Sequence, residues 1–266
     1  MKEIIKLWLP PIFLIIFKSF NFRGIRFIGK YYSWGEARKK TSGYESEAIF
    51  NKVKKAALKV KQGDAACERD SIVFHEPQYV WPTLSCLMHV AASNQGELNV
   101  LDFGGSLGSS YFLNKKFLNG LSVEWSVIEQ PHFVEFGEDE ISDDVLKFYA
   151  DIEHCYSERK PNCILLSSVL QYLENPYQWL EKFASLDVAF ILIDRMPFSK
   201  TSNEFIQIQK IPESIYSASY PIHVLNEEKI TKFMMKQGFE LIESFDSDSG
   251  METKNFYLHG LFYKKL

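Results

Sequence analysis

The spacing of apolar positions changes near Gly96, and that change divides the chain. Before it the spacing is helical. From Tyr44 to Gln62, apolar residues fall at Ile49, Val53, Ala56, Ala57 and Val60, the stripe of an amphipathic helix. Glu45 and Glu47 stand near its start, and Lys52, Lys54, Lys55, Lys59 and Lys61 crowd its later turns. That polarity suits the helix dipole, and Gly63 is a natural stop. The lysines therefore read as a solvated face. A second helix is predicted from Pro82, with Leu84, Leu87, Met88 and Ala91 on one face and Asn94-Gln95-Gly96 as its end. Residues 31–97 thus read as an N-terminal helical region.

After Gly96, short apolar runs alternate with helical patterns. Strands are predicted over Leu98–Phe103, Val123–Glu129, Cys163–Ser167 and Val188–Asp194. One helix follows Gly108 and runs through Tyr111, Phe112 and Leu118 to Gly120. Another opens at Asn175-Pro176, with Asn as N-cap and Pro at N1, and buries Leu180, Phe183 and Ala184. A third opens at Asn226 and carries Ile230, Phe233 and Met234 up to Gly238. This rhythm implies a doubly wound α/β domain over residues 98–266, a mostly parallel sheet with helices on both faces. Phe239–Phe245 and Phe256–Tyr263 are joined by a polar run with no room for a helix, so they form an antiparallel pair at one side of the sheet.

The first thirty residues follow neither pattern. Lys2 and Lys6 precede the apolar stretch Leu7–Phe17, and Lys18, Arg23, Arg26 and Lys30 follow it. A membrane-spanning helix needs ~20 apolar residues; this stretch is shorter and holds Pro10-Pro11. A secretory signal would want a small-residue cleavage site, which Lys18-Ser19-Phe20 is not. Two readings stay open. Residues 1–30 make a peripheral membrane contact, with basic residues at anionic headgroups, or they are an apolar arm packed on their own domain or on a second copy, as in a homo-oligomer.

Composition narrows the function. A formal net charge of -4 without a basic stripe argues against nucleic acid as a partner. The 22 Phe and 13 Tyr suit either a large apolar core or an aromatic-lined pocket. Cys67, Cys86, Cys155 and Cys163 include no C-x-x-C pair, so neither a zinc site nor a thioredoxin-like motif is indicated, and they read as reduced thiols of a cytoplasmic protein. No cluster has metal-ligand spacing, and no G-x-S-x-G or Walker motif occurs.

The strongest chemical signal is VLDFGGSLGSS, Val100 to Ser110. An apolar strand ends in Asp102, passes through a turn with Gly104, Gly105, Ser106 and Gly108, and enters a helix. Small residues there let the backbone approach a ligand at the C-terminal edge of the sheet, beside a helix N-terminus. The dinucleotide fingerprint G-x-G-x-x-G fails, because Ser106 and Ser109 stand where glycines are needed. An acid in this place suits a ligand bringing an ammonium or sulfonium and would repel a pyrophosphate. Glu129 ends the next strand about 25 residues on, near the spacing of an acid that takes ribose hydroxyls. Two acids at successive strand ends are more specific than either alone.

With these motifs the chain resembles class I, Rossmann-like S-adenosylmethionine-dependent methyltransferases. The resemblance implies a seven-stranded, mostly parallel sheet with an antiparallel last strand, and S-adenosylmethionine as cofactor. More narrowly, the chain resembles a family classed as methyltransferases and found among bacterial surface-polysaccharide genes. The similar stretches are SWGEA (Ser33 to Ala37), SGYES (Ser42 to Ser46), ERDSIVF (Glu68 to Phe74), LDFGGSLGSSYF, SVIEQPHFVEFG, SSVLQYLENP (Ser167 to Pro176) and IDRMPF (Ile193 to Phe198). At matching positions the resemblance implies that Asp102, Gly104, Gly105, Ser106 and Gly108 hold the methionine end. Glu129 takes the ribose with Gln130 beside it. Asp151 and Ile152, after the short strand-like Phe148 to Ala150, sit near the adenine, and Ser167 and Ser168 line the same pocket.

The acceptor side is less defined. SVIEQPHFV is similar to the ribose-binding segment of small-molecule O-methyltransferases that use a histidine base after the fourth strand; here Gln171 stands in that place, and glutamine is no base. The long segment between Asp194 and Asn226 is expected to lie over the sheet edge as a lid or acceptor wall. It offers His223 as the candidate base, with Arg195, Tyr216 and Tyr220 as acceptor contacts; Arg195 would suit a phosphate or carboxylate on a nucleotide- or lipid-linked sugar. His132 and His154 also follow strand ends. The function these residues imply is O-methylation of a sugar or other small hydroxylated acceptor in surface-polysaccharide biosynthesis, in the cytoplasm or at its membrane. The alternatives are a catalytically silent S-adenosylmethionine-binding scaffold, and an NAD-dependent enzyme, which the failed fingerprint disfavours.

Overall fold

A computed structural model describes residues 24–42, 47–69, 71–213, 215–247 and 253–266. The apolar stretch Leu7–Phe17 lies outside these residues. Strands β4 (Glu97–Phe103), β5 (Ser122–Ile128), β6 (Leu146–Tyr149), β7 (Cys163–Ser167), β8 (Phe190–Ser199), β11 (Phe239–Asp246) and β12 (Phe256–Lys265) form one sheet, in the order β11-β12-β8-β7-β4-β5-β6. Neighbours from β6 to β8 run parallel, whereas the last strand, β12, is antiparallel to both β8 and β11. The tail pair therefore stands at one side of the sheet with β12 inside and β11 at the edge.

Successive residues of the central strands feed opposite faces, as the two-residue period requires. Val100, Leu165 and Leu192 join a core with helices α2 (Glu47–Gln62) and α3 (Trp81–Ser93). Leu101, Ile164, Leu166, Ile191 and Ile193 join the other core with α6 (Ile152–Arg159), α7 (Pro176–Ser185) and α8 (Glu227–Lys236). Short helices α1 (Trp34–Arg38), α4 (Ser109–Asn114) and α5 (Pro131–Phe136) complete the set. The predicted stripe of α2 is buried at Ile49, Val53, Ala56 and Ala57. In α3, Leu84, Leu87 and Ala91 are buried but Met88 is 37% exposed, because the buried stripe runs instead through Thr83, Leu87 and Val90. Asn226 caps α8, its side chain accepting from the Lys229 amide at 2.9 Å, whereas Asn175 precedes α7 without a side-chain bond.

Two features depart from the sequence pattern. Within the region read as helical, β2 (Cys67–Arg69) and β3 (Ile72–Phe74) form an antiparallel hairpin between α2 and α3. The long segment after Asp194 continues β8 to Ser199 and then forms β9 (Phe205–Ile211) and β10 (Ala218–Val224). These two pair with each other, and β9 pairs with β1 (Arg26–Tyr31), giving a second, three-stranded sheet. All four cysteines are buried and free.

Candidate active site

In the large sheet β4 has β5 on one side and β7 on the other, so the chain reverses its direction of strand addition at β4. Such a switch point leaves a crevice at the C-terminal strand ends. A cavity of about 670 Å³ lies there. The turn after β4 enters it through Gly104 at φ +71° and Ser106 at φ +55°. Close approach explains the glycines: a Cβ on Gly104 would overlap the Val169 side chain, and one on Gly105 would stand 2.5 Å from the Asp102 carboxyl carbon.

Asp102, 1% exposed, lies beneath that turn. Its Oδ2 accepts from Trp125 Nε1 at 3.0 Å, and its Oδ1 has no partner. Burial pushes its carboxyl up to about 7; the Trp125 bond opposes this and the Glu129 charge adds to it. Glu129, after β5, ties two strand ends together: one oxygen accepts from the Ser106 amide at 3.2 Å, the other from the Gln130 amide at 2.9 Å. Burial raises its pKa despite those two bonds. Asp151 caps α6 by accepting from the His154 amide at 2.7 Å, and Ile152 is buried beside it.

The next strand ends carry a linked polar set. Ser167 Oγ donates to Asp194 Oδ2 at 3.2 Å and accepts from Arg195 Nη2 at 3.1 Å. Ser247 Oγ donates to Asp194 Oδ1 at 3.0 Å and accepts from the Arg195 amide at 2.9 Å. Ser168 at φ +57° and Arg195 at φ +54° join Ser106 in the left-handed region. Three strained non-glycine residues along one sheet edge mark a place whose geometry the surrounding fold must enforce.

Of the residues expected to hold the cofactor, Asp102, Gly104, Gly105, Ser106, Glu129, Gln130, Asp151, Ile152, Ser167 and Ser168 all line this cavity. Gly108 does not; it precedes α4 at φ +85°, where a Cβ would stand 2.8 Å from Leu146 Cδ2. Arg195, Tyr216 and Tyr220 line the cavity as well. His223 lies outside it, in a neighbouring pocket, with Trp34 stacked on its ring at 4.8 Å and its Nε2 at 3.1 Å from the Glu174 carbonyl oxygen. Burial holds its imidazole below the usual range. Among the described residues no histidine lines the cavity, and Gln171 is buried away from it, with Nε2 donating to Ser168 Oγ at 3.0 Å. Among the described residues no group of His, Cys, Asp and Glu stands with metal-binding geometry.

Sequence reasoning did not single out a second set of lining residues. Glu68, Arg69 and Ser71 come from the β2–β3 hairpin, Thr83 from α3, and Ser110 and Asn114 from α4. The hairpin is fastened to α4 by a hydrogen bond from Ser109 Oγ to Glu68 Oε1. The signal available was the compact charged stretch ERDSIVF, whose two apolar-flanked halves fit a short hairpin.

The sheet order and the antiparallel last strand are those of the fold of S-adenosylmethionine-dependent methyltransferases. No protein-family profile matches the chain, and no curated protein matches it in sequence. Among solved structures it is similar to the N-terminal domain of EvdMO1, crystallised in the presence of S-adenosylhomocysteine and D-fucose. That likeness has 12% identity and a TM-score of 0.51, over 81% of this chain and 97% of that one. It is also similar to magnesium protoporphyrin IX methyltransferase (ChlM) from Synechocystis PCC 6803 with bound S-adenosylhomocysteine, at 16% identity and TM-score 0.46, covering 70% of this chain and 82% of that one.

Proposed function

We propose that this chain is an S-adenosylmethionine-dependent methyltransferase that O-methylates a sugar or another small hydroxylated acceptor in surface-polysaccharide biosynthesis. One observation carries the cofactor assignment: a buried carboxylate with an unpartnered oxygen, Asp102, beneath a glycine turn that a second strand-end acid, Glu129, holds in place. Such a seat fits a cationic methionine moiety and a ribose, and would repel a pyrophosphate. Asp102 and the Gly104–Ser106 turn would hold the methionine end, Glu129 and Gln130 the ribose, and Asp151 and Ile152 the adenine. When bound, S-adenosylmethionine supplies an electrophilic methyl group.

The chain's own residues do the rest by positioning. The Ser167–Asp194–Arg195–Ser247 set ties the end of β7 to the middle of β8, and Tyr216 and Tyr220 wall the cavity from the β9–β10 side. The hydroxylated acceptor is supported by the resemblance of ERDSIVF and IDRMPF to the polysaccharide-gene family, and by D-fucose accompanying the EvdMO1 domain. A nucleotide- or lipid-linked sugar would bring an anion for Arg195. Among the described residues no helix is long and apolar enough to cross a membrane; residues 1–30 would supply any peripheral contact. One observation favours a second reading, a silent S-adenosylmethionine-binding scaffold: among the described residues no histidine lines the cavity.

Titration calorimetry with S-adenosylhomocysteine, beside NAD and beside Asp102→Ala, tests the assignment. Micromolar binding that the substitution weakens at least tenfold, with no NAD response, is expected. A folded protein that binds neither ligand would refute it. Methyl transfer to supplied nucleotide sugars then separates the enzyme from the scaffold.

A further inference from the structure

Seven buried side-chain polar atoms among the described residues have no hydrogen-bond partner, and five belong to residues lining the cavity at the strand ends. Asp102 Oδ1 and Arg195 Nε belong to the strand-end set. The other three are Ser71 Oγ on the hairpin, Thr83 Oγ1 on α3 and Asn114 Oδ1 on α4. Thr83 is 4% exposed and Asn114 3% exposed. Buried polar groups are nearly always satisfied, so a cluster of exceptions around one cavity points to a ligand that satisfies them. Glu68 adjoins them, with one oxygen accepting from the Ser71 amide at 3.2 Å and the other from Ser109 Oγ.

We propose that Ser71, Thr83 and Asn114, together with the Glu68 carboxylate, recognise the hydroxyl groups of the acceptor, and that this seat takes a neutral polyhydroxylated ring. The donor inventory selects that chemistry. Asn114 Nδ2 donates to the Ser110 carbonyl at 2.8 Å, which leaves Oδ1 as an acceptor that needs an O–H or N–H from the ligand. Glu68 also accepts only, whereas the Ser71 and Thr83 hydroxyls both donate and accept. Neighbouring hydroxyls on a ring meet all of these demands at once. A phosphate or carboxylate could not donate to Asn114 and would face Glu68, and a hydrocarbon would leave every group unpaired. Tyr216 and Tyr220 line the same cavity, and aromatic side chains there would suit the C–H side of such a ring. The assignment rests on the proposed methyltransferase reading for what the ring is used for, but not for its binding.

The test is saturation-transfer NMR and calorimetry on the full chain, with methyl glycosides of the common hexoses and 6-deoxyhexoses, each with and without S-adenosylhomocysteine. At least one glycoside binds. Thr83→Val, which keeps the shape and removes only the hydroxyl, weakens that binding tenfold or more and leaves S-adenosylhomocysteine affinity within twofold. It does not lower the melting temperature, since no protein bond is lost. Ser71→Ala serves as the second variant should Thr83→Val fail to fold. No glycoside bound in either condition, or equal binding by the variant, overturns the proposal, as does a lowered melting temperature with glycoside affinity unchanged. Loss of S-adenosylhomocysteine binding in the wild type would refute the methyltransferase reading instead, while the glycoside arm still decides this one.

Discussion

Asp102 sets a pH dependence with a definite sign. Its carboxyl titrates near 7 in the folded chain against an ordinary value of 3.8, burial being the main cause. Between those values the folded form keeps a proton that the unfolded form gives up. The stability this group contributes is therefore full below about pH 4 and lost as the pH rises through about 7. Asp102→Asn should flatten the melting temperature between pH 5 and 8 and leave the chain about 1–3 kcal/mol more stable at pH 8, since no carboxylate charge is then buried. An ammonium group set against Asp102 selects its ionised form, so the affinity for S-adenosylhomocysteine, through its amino-acid ammonium, should increase severalfold from pH 6 to pH 8 in the wild type and not in the variant. Calorimetry across that range checks both directions. Residues of this kind were legible because an acid after an apolar strand and before glycines has few structural uses. Thr83 and Asn114 were not, since polar residues inside helical stretches give no sign of which way they face. His223 shows the converse. Tyr220 and His223 are an odd number of positions apart on β10, so the strand's two-residue period sets them on opposite faces.

At the scale of elements, the turn between β4 and α4 has little freedom. Gly104 combines a left-handed φ with contact against Val169, where β7 exits. Gly104→Ala is expected to cost about 1–3 kcal/mol in stability, from overpacking and backbone strain together. It should also weaken S-adenosylhomocysteine binding tenfold or more. Adding Val169→Ala restores part of the loss, and a double-mutant cycle by urea denaturation reads the coupling. The parallel strands were legible to within a few residues, because buried apolar runs bounded by glycines and polar clusters leave few alternatives. Cys163–Ser167 coincides with β7, and Leu98–Phe103 differs from β4 by one residue. The β9–β10 pair was not read as strands, although Ile206-Gln207-Ile208-Gln209 alternates with a two-residue period. Its partner β1 is remote in sequence, and both faces of β9 are largely buried, so solvent-facing polarity could not mark it.

In the molecule as a whole, the two sheets make different demands on the N-terminus. β1 begins at Arg26 and, among the described residues, the cavity draws its lining from Trp34 onward. Removing residues 1–19 should therefore leave S-adenosylhomocysteine binding within twofold of the full chain. Removing residues 1–31 takes away β1 and uncovers an edge of β9, which invites association with other chains. That shorter chain should melt several degrees lower and elute as larger species in size-exclusion chromatography. Equal behaviour of the two truncations would show that β1 adds nothing to the fold.

The pairing of β1 with β9 also orders events in time. A ribosome releases Arg26 long before Lys210, the residue it pairs with. At synthesis rates of about 5–20 residues per second, that interval of roughly 180 residues lasts about 10–40 s. The parallel pairs from β4 to β8 are completed within it, since their partners are nearer in sequence. During translation, then, the strand made first is left without a partner while the large sheet assembles, and it docks only when the wall of the cavity has emerged.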